Sequence, residues 1–214
     1  MPAPPKILEA VKKAKEVGGK RKFAQNIDLT VNLKEIDLTK PESRINLEVV
    51  LPHGTGKPKK VAVFAIGELA RGAREAGADL VLGREDIEAL GKNRKRAKRI
   101  VEEHHFFIAQ ADFMPLIGKS LGPVLGPRGK MPKPVPPTAN LKPLVERCRR
   151  TVRVRAREQP TIHVPIGVEN MADEQLAENI SAVLDAVEGK LEKGKRQIKS
   201  VQIKTTMGKP VKIE

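Results

Sequence analysis

Residues 52–66, PHGTGKPKKVAVFAI, decide how the rest of the chain is organised. The first nine hold glycine, proline and lysine without apolar periodicity, which reads as a hinge. The last six, 61–66, are apolar without interruption, as expected of a strand buried on both faces. The patterning differs on either side of this switch.

Upstream, the period is two. Ile27, Leu29, Val31 and Leu33 face one way, with Asp28, Thr30, Asn32 and Lys34 facing the other. Ile45, Leu47, Val49 and Leu51 repeat the alternation after the turn-like Lys40, Pro41, Glu42 and Ser43. The pattern predicts two half-buried antiparallel strands joined by a loop of moderate length. Before them, Ile7, Leu8, Val11 and Ala14 share one helical stripe, which Gly18 and Gly19 stop.

Downstream, apolar runs alternate with helical segments. A helix to about Gly77, a short strand over 79–82 and two further helical pieces lead to FFIAQA at 106–111, a second buried strand. A short helix from Asp112, a helix over 139–150 and TVRVRA at 151–156 complete this part. Such alternation predicts a small parallel α/β layer.

From 157–160 the first style returns. Residues 160–168 read as a strand, and Asp173 as the N-cap of a long helix lined by Leu176, Ile180, Val183, Leu184, Val187 and Leu191, ended by Gly194. Ile198, Val201 and Ile203 belong to a strand running into Thr205-Thr206-Met207-Gly208, and VKI at 211–213 closes the chain. The fold class is therefore α/β with two domains. A discontinuous α+β domain (1–60 and 157–214) carries an inserted α/β domain (61–156), with hinges expected near 52–60 and 156–160.

The 214 residues include 41 Lys and Arg against 26 Asp and Glu, a net charge of +15. This excess points to a nucleic-acid partner, with an anionic membrane surface the weaker alternative. The insert holds 19 basic and 10 acidic residues and the outer part 22 and 16, so charge does not choose between them. No run has the length of a membrane helix, MPAPPK lacks the apolar stretch of a signal peptide, and Cys148 has no internal disulfide partner. A cytoplasmic chain without membrane partner is expected, with Cys148 a buried thiol. There is no Trp or Tyr, and Phe64, Phe106 and Phe107 sit in apolar runs. An RNA partner would then be read by shape and backbone contacts rather than by base stacking.

Enzyme signatures fail. Gly118-Lys119-Ser120 resembles the end of a phosphate-binding loop, but position 113, where that loop needs a glycine, is Phe113. Gly67 opens a helix after a buried strand, yet Leu69 breaks a dinucleotide fingerprint. Glu102, Glu103, His104 and His105 are consecutive, so they point in different directions and lack metal-site spacing. His53 and His163 have no ligand-like neighbours. No cofactor or metal is expected.

Three stretches bear on an RNA partner. Residues 121–134, LGPVLGPRGKMPKP, hold three glycines, four prolines and three cations within an acid-free zone from Asp112 to Glu146. They suit either a rigid loop for phosphate backbone or a proline-rich connection between helices. Residues 92–99 place six cations in eight positions, a solvated helix with non-specific RNA attraction as an extra. Thr205-Thr206-Met207-Gly208 offers hydroxyls, a polarizable apolar surface and a point of close backbone approach. It is either a plain hairpin turn or a contact for a folded RNA groove.

The segments RKFAQNIDL, NLKEIDL, EVVLPHG, FFIAQADFMPLIGKSLGPVLGPRGKMPKPVPP, ANLKPLVE and KTTMG together resemble the ribosomal protein L-one family in its archaeal form, over essentially the whole chain. The resemblance implies a discontinuous split β-α-β first domain, an inserted Rossmann-like second domain, and no enzyme activity. It implies binding to the stalk region of large-subunit ribosomal RNA, help in releasing deacylated tRNA from the exit site, and, as an open extension, repression of the chain's own messenger. Off the ribosome a monomer is implied. Carried over by motif, the principal RNA site comprises Lys22, Phe23, Ser200, Thr206, Met207 and Gly208. The glycine/proline loop contributes secondary candidates Gly126, Arg128, Gly129 and Lys130. Here Lys209 intervenes between Gly208 and Pro210, where the family usually runs directly from Gly to Pro; the insertion either alters the turn after Gly208 or adds a phosphate contact, and the sequence leaves both readings open. A different RNA- or DNA-binding regulator and a nucleotide-dependent enzyme are the rival readings.

Overall fold

The computed structural model describes residues 5–19, 21–37, 44–156 and 159–213. They form two compact units, Met1–Lys57 with Arg150–Glu214, and Pro58–Arg149.

Unit 1 contains α1 (Pro5–Gly18), β1 (Asn26–Leu33) and β2 (Ile45–Val50) from the first segment. The second segment supplies β7 (Thr151–Ala156), β8 (Thr161–Val168), α7 (Asp173–Lys190), β9 (Ile198–Thr205) and β10 (Val211–Lys212). Four strands form one antiparallel sheet in the order β10-β9-β1-β8. Alternation in β1 is realised in full: Ile27, Leu29, Val31 and Leu33 are buried with Ile7, Val11, Leu176, Ile180 and Val183 of the two helices. The opposite face of the sheet carries Asp28, Thr30 and Asn32 from β1, His163 from β8, and Ser200, Gln202 and Lys204 from β9.

The expected β1–β2 pairing does not form. β2 pairs antiparallel with β7, from Ile45 opposite Ala156 to Val50 opposite Thr151, as a separate two-stranded sheet. TVRVRA thus belongs to unit 1, and the return crossing falls at Arg149–Arg150 rather than at 156. Val152 and Val154 bury in the unit 1 core, which fixes the side on which the strand pairs. The turn expected at 40–43 and the hinge residues 157 and 158 lie outside the described residues. Within the 52–60 stretch the first unit ends at Lys57, and residues 53 and 54 are tied to α7. Buried Asn179 of α7 donates to the carbonyls of Gly54 (2.8 Å) and Ile166 (3.1 Å), and its oxygen accepts from the His53 amide (3.1 Å). Asp173 opens α7 without capping it, and its carboxylate pairs with Lys15 at 2.6 Å.

Unit 2 is the parallel layer. β3 (Val61–Phe64), β4 (Leu80–Leu82), β5 (Phe106–Gln110) and β6 (Lys133–Val135) lie in the order β4-β3-β5-β6, all parallel. The helices are α2 (Gly67–Glu75), α3 (Arg84–Lys92), α4 (Arg94–Glu103), α5 (Met114–Leu125) and α6 (Leu141–Arg150). β3 and β5 are buried throughout, on both faces of the sheet. Cys148 is buried among Val145, Leu141 and Val135. Asp79 holds the two ends of this unit: its Oδ2 accepts from the Val61 amide at 2.8 Å and lies 3.6 Å from the Arg149 guanidinium.

The glycine/proline stretch is not one loop. Its first five residues, 121–125, are the end of α5, with Pro123 inside the helix. Proline there removes a hydrogen bond and costs about 3 kcal/mol against alanine. Burial of Leu121, Val124 and Leu125 in the unit 2 core outweighs it. Pro134 sits in β6, an edge strand, where proline is tolerated.

Candidate nucleic-acid interface

The turn after β9 is held from three sides. Its first residue, Thr205, is buried, and its Oγ1 accepts from the Gly208 amide at 3.1 Å. Thr206 is tied to the start of β1: its amide donates to the Asn26 carbonyl (3.0 Å), and its hydroxyl accepts from the Asn26 amide (2.9 Å). The Met207 amide donates to Gln25 Oε1 at 3.2 Å, while its side chain stands 60% exposed.

Gln25 is the hub of this arrangement. It is 0% exposed, and its Nε2 donates to the Gly19 carbonyl (2.9 Å), to Glu169 Oε2 (3.1 Å) and, at 3.4 Å, to the Gly18 carbonyl. One amide therefore ties the carboxyl end of α1, the loop after β8 and the Met207 backbone. Buried polar groups satisfied in this way fix a unique local geometry.

Glycine is required by space at two positions. A Cβ at Gly18 would sit 2.5 Å from Thr205 Oγ1. One at Gly208 would fall 2.9 Å from Gly18 Cα and would also collide with Thr205 Oγ1. The carboxyl end of α1 and the turn thus pack backbone to backbone.

The principal candidates divide accordingly. Lys22 and Phe23 stand three and two residues before Gln25; Lys22 is exposed, and Phe23 is 51% exposed despite its apolar ring. Of the turn residues, Met207 is bonded to Gln25 itself and Thr206 to the neighbouring Asn26. Ser200 lies elsewhere, about 16 Å along β9 from Thr205 at ~3.3 Å per residue. There its hydroxyl accepts from Asn32 Nδ2 at 2.9 Å, and Asn32 Oδ1 accepts from Thr161 at 3.1 Å. The open sheet face runs between Ser200 and the turn. On it, burial pushes the Asp28 carboxyl above its ordinary range, against the lowering pull of Lys204, His163 and Lys57.

The secondary candidates are occupied with unit 2 itself. Lys130 Nζ donates to the carbonyls of Val101 (2.5 Å) and His104 (2.8 Å), satisfying the carboxyl end of α4. Arg128 donates to Glu102 at 2.7 Å, and this hydrogen bond holds the Glu102 carboxyl below its usual range. Gly126 caps α5, donating to the Gly122 carbonyl, and Gly129 takes φ +60° in the turn that follows. These four residues shape the insert. His104 is buried with Nδ1 against the Ile100 carbonyl, and among the described residues no group of three His, Cys, Asp or Glu is placed to hold a metal ion. No described helix is long and apolar enough to cross a membrane.

Gln25 was not identified from sequence as a site residue, although its position contains the signal. It continues the odd-numbered series Ile27, Leu29, Val31 that faces the core, so an amide there must be buried and bonded.

A discontinuous α+β unit with an inserted parallel α/β unit, strongly basic and presenting a pinned, apolar-tipped turn, defines a two-domain α/β protein of the ribosomal class. The chain belongs to the ribosomal protein L1p/L10e family, whose family model matches residues 11–209. It is 55% identical over 207 residues to the large ribosomal subunit protein uL1 of Methanothermobacter thermautotrophicus, covering 97% of this chain and 98% of that one. The uL1 of Methanothermococcus thermolithotrophicus is 56% identical, with 97% of each covered, and that of Pyrococcus horikoshii 51%, with 98% and 95% covered. Membership makes this a ribosomal protein and not an enzyme.

Proposed function

We propose that the chain is a constituent of the large ribosomal subunit, working in the cytoplasm, and that unit 1 binds the stalk region of large-subunit ribosomal RNA. The observation that carries this reading is Met207: a large apolar side chain held out into solvent by a backbone pinned on both flanks. Exposed apolar surface on a rigid turn, with exposed Phe23 and cationic Lys22 on the same unit, suits packing against sugars and base edges of a preformed RNA groove. Lysines and arginines supply the salt-sensitive phosphate attraction, and the turn supplies the preference.

The test is RNA binding across a salt series for wild type and Met207→Ala, using a stalk-like rRNA fragment with duplex DNA and unstructured RNA as competitors. Wild type keeps its preference at high salt, and the variant loses ~1–3 kcal/mol of it. Equal binding to all three ligands in wild type would refute the reading. Assistance in exit-site tRNA release and repression of the chain's own messenger extend the same proposal, supported by the family resemblance. A messenger that competes with the rRNA fragment for wild type but not for Met207→Ala supports the repression arm. Slower tRNA release from ribosomes lacking the protein supports the other.

A further inference from the structure

Helix α4 is built against its own electrostatics. The positive end of a helix dipole favours acidic residues, yet the first turn carries Arg94, Lys95 and Arg96 and no acid. Arg94 and Lys98, and likewise Lys95 and Arg99, then stand four apart, a spacing at which like charges repel. All five are exposed, and none forms an ion pair among the described residues. Only Ala97 and Val101 of α4 are buried, in the unit 2 core. The helix therefore has no apolar face left for a lipid surface, and its outward side is cationic.

Lys95, Lys98 and Arg99 stand at i, i+3 and i+4, so their side chains share one solvent face. Two acids end this helix: Glu102 lies four residues after Lys98 and is engaged at 2.7 Å by Arg128 from the loop after α5, and Glu103 lies four residues after Arg99. With Glu102 already paired to Arg128, three cations face one remaining acid and the face stays net positive. A polyanion laid on this side would remove the repulsion that the chain otherwise tolerates.

We propose that the Lys95–Lys98–Arg99 face of α4 is a second RNA surface, one that takes the phosphate backbone without regard to sequence. It deepens the RNA-binding reading above, adding affinity from unit 2 while the Met207 turn of unit 1 provides preference.

The test uses the full chain with Lys95→Gln, Lys98→Gln and Arg99→Gln combined, beside Met207→Ala. All three substituted side chains are exposed, and thermal unfolding verifies that the fold is retained. Each phosphate contact contributes about 0.9 to the slope of log K against log salt in duplex nucleic acid, so the slope falls by about two to three. Affinity drops by a similar factor for the stalk-like fragment and for an unrelated RNA hairpin, leaving their ratio unchanged. Arg128→Gln, which releases Glu102, lowers the slope in the same direction. A triple variant with wild-type slope and affinity overturns the proposal, as does one that loses preference while keeping its slope. Failure here with preference still lost in Met207→Ala leaves the unit 1 reading intact. Wild type without preference but with the slope change overturns that reading alone.

Discussion

The side-chain oxygen of Gln25 accepts the Met207 backbone amide at 3.2 Å, across 182 residues of sequence. A fully buried residue thus holds the backbone from which Met207 projects, the most exposed large apolar side chain among the described residues of unit 1. Gln25→Leu preserves size and burial but abandons the Met207 amide and the Gly19 carbonyl. Leaving such groups unsatisfied costs ~1–3 kcal/mol each. The variant unfolds at lower temperature and loses preference for the stalk-like RNA even with Met207 in place. Retained preference would show that the turn holds its shape without the hub.

Gly208→Ala inserts a methyl group against Gly18 Cα and Thr205. Overpacking of this kind costs ~1–3 kcal/mol, and here the turn has to move to relieve it. RNA preference should fall about as far as in Met207→Ala, with the salt slope unchanged. A crystal structure with an undisplaced turn would contradict this account.

Lys130 satisfies the carboxyl end of α4 through two carbonyls, so Lys130→Met should destabilise the protein by ~1.5–3 kcal/mol, the range for hydrogen bonds to a charged group. Preference among RNA ligands should remain. Calorimetry checks the first statement and competition binding the second. Loss of preference with unchanged stability would instead make Lys130 a direct RNA contact.

Asp28 gives a pH dependence with a definite sign. Its folded carboxyl holds its proton to higher pH than the unfolded one, whose ordinary value is 3.8. As pH rises through that value the unfolded chain releases this proton first, so stability falls until the folded carboxyl has ionised too. The loss then persists to neutral pH. Asp28→Asn removes this contribution: the variant gains on wild type as pH rises above 3.8, and the gap narrows below it. Denaturant unfolding at several pH values measures the difference, and a gap independent of pH would rule out this cause.

Much of the fold was legible because it is locally encoded. The period-two run of β1 and the unbroken apolar run of β3 each state their burial in their own residues. The pairing of β2 with β7 was not legible. Its partner is about a hundred residues away, and either alternating strand would accept the same neighbour. LGPVL looks like a loop because glycine and proline are local breakers, and it is helical because three of its side chains are core. The site divides similarly. Motif resemblance points to Met207 and Phe23 as candidates, while the apolar phase of Gln25 marks it as buried without naming its partner. Nothing in 121–134 discloses that Lys130 turns onto the carboxyl end of α4 or that Arg128 pairs with Glu102 on its surface.

Asp79 bears on the order in which the molecule assembles. Closing a chain over a long excursion costs entropy that grows with its length, and non-local strand pairs form slowly for that reason. The β2–β7 ladder is such a pair, with the whole insert between its strands. By clasping the Val61 amide and the Arg149 guanidinium, Asp79 joins the two ends of the insert once that unit has folded. The ladder then closes over an effectively short connection, like a hairpin. With the insert folded, the longest interruption in the chain becomes a short connection for the β2–β7 ladder.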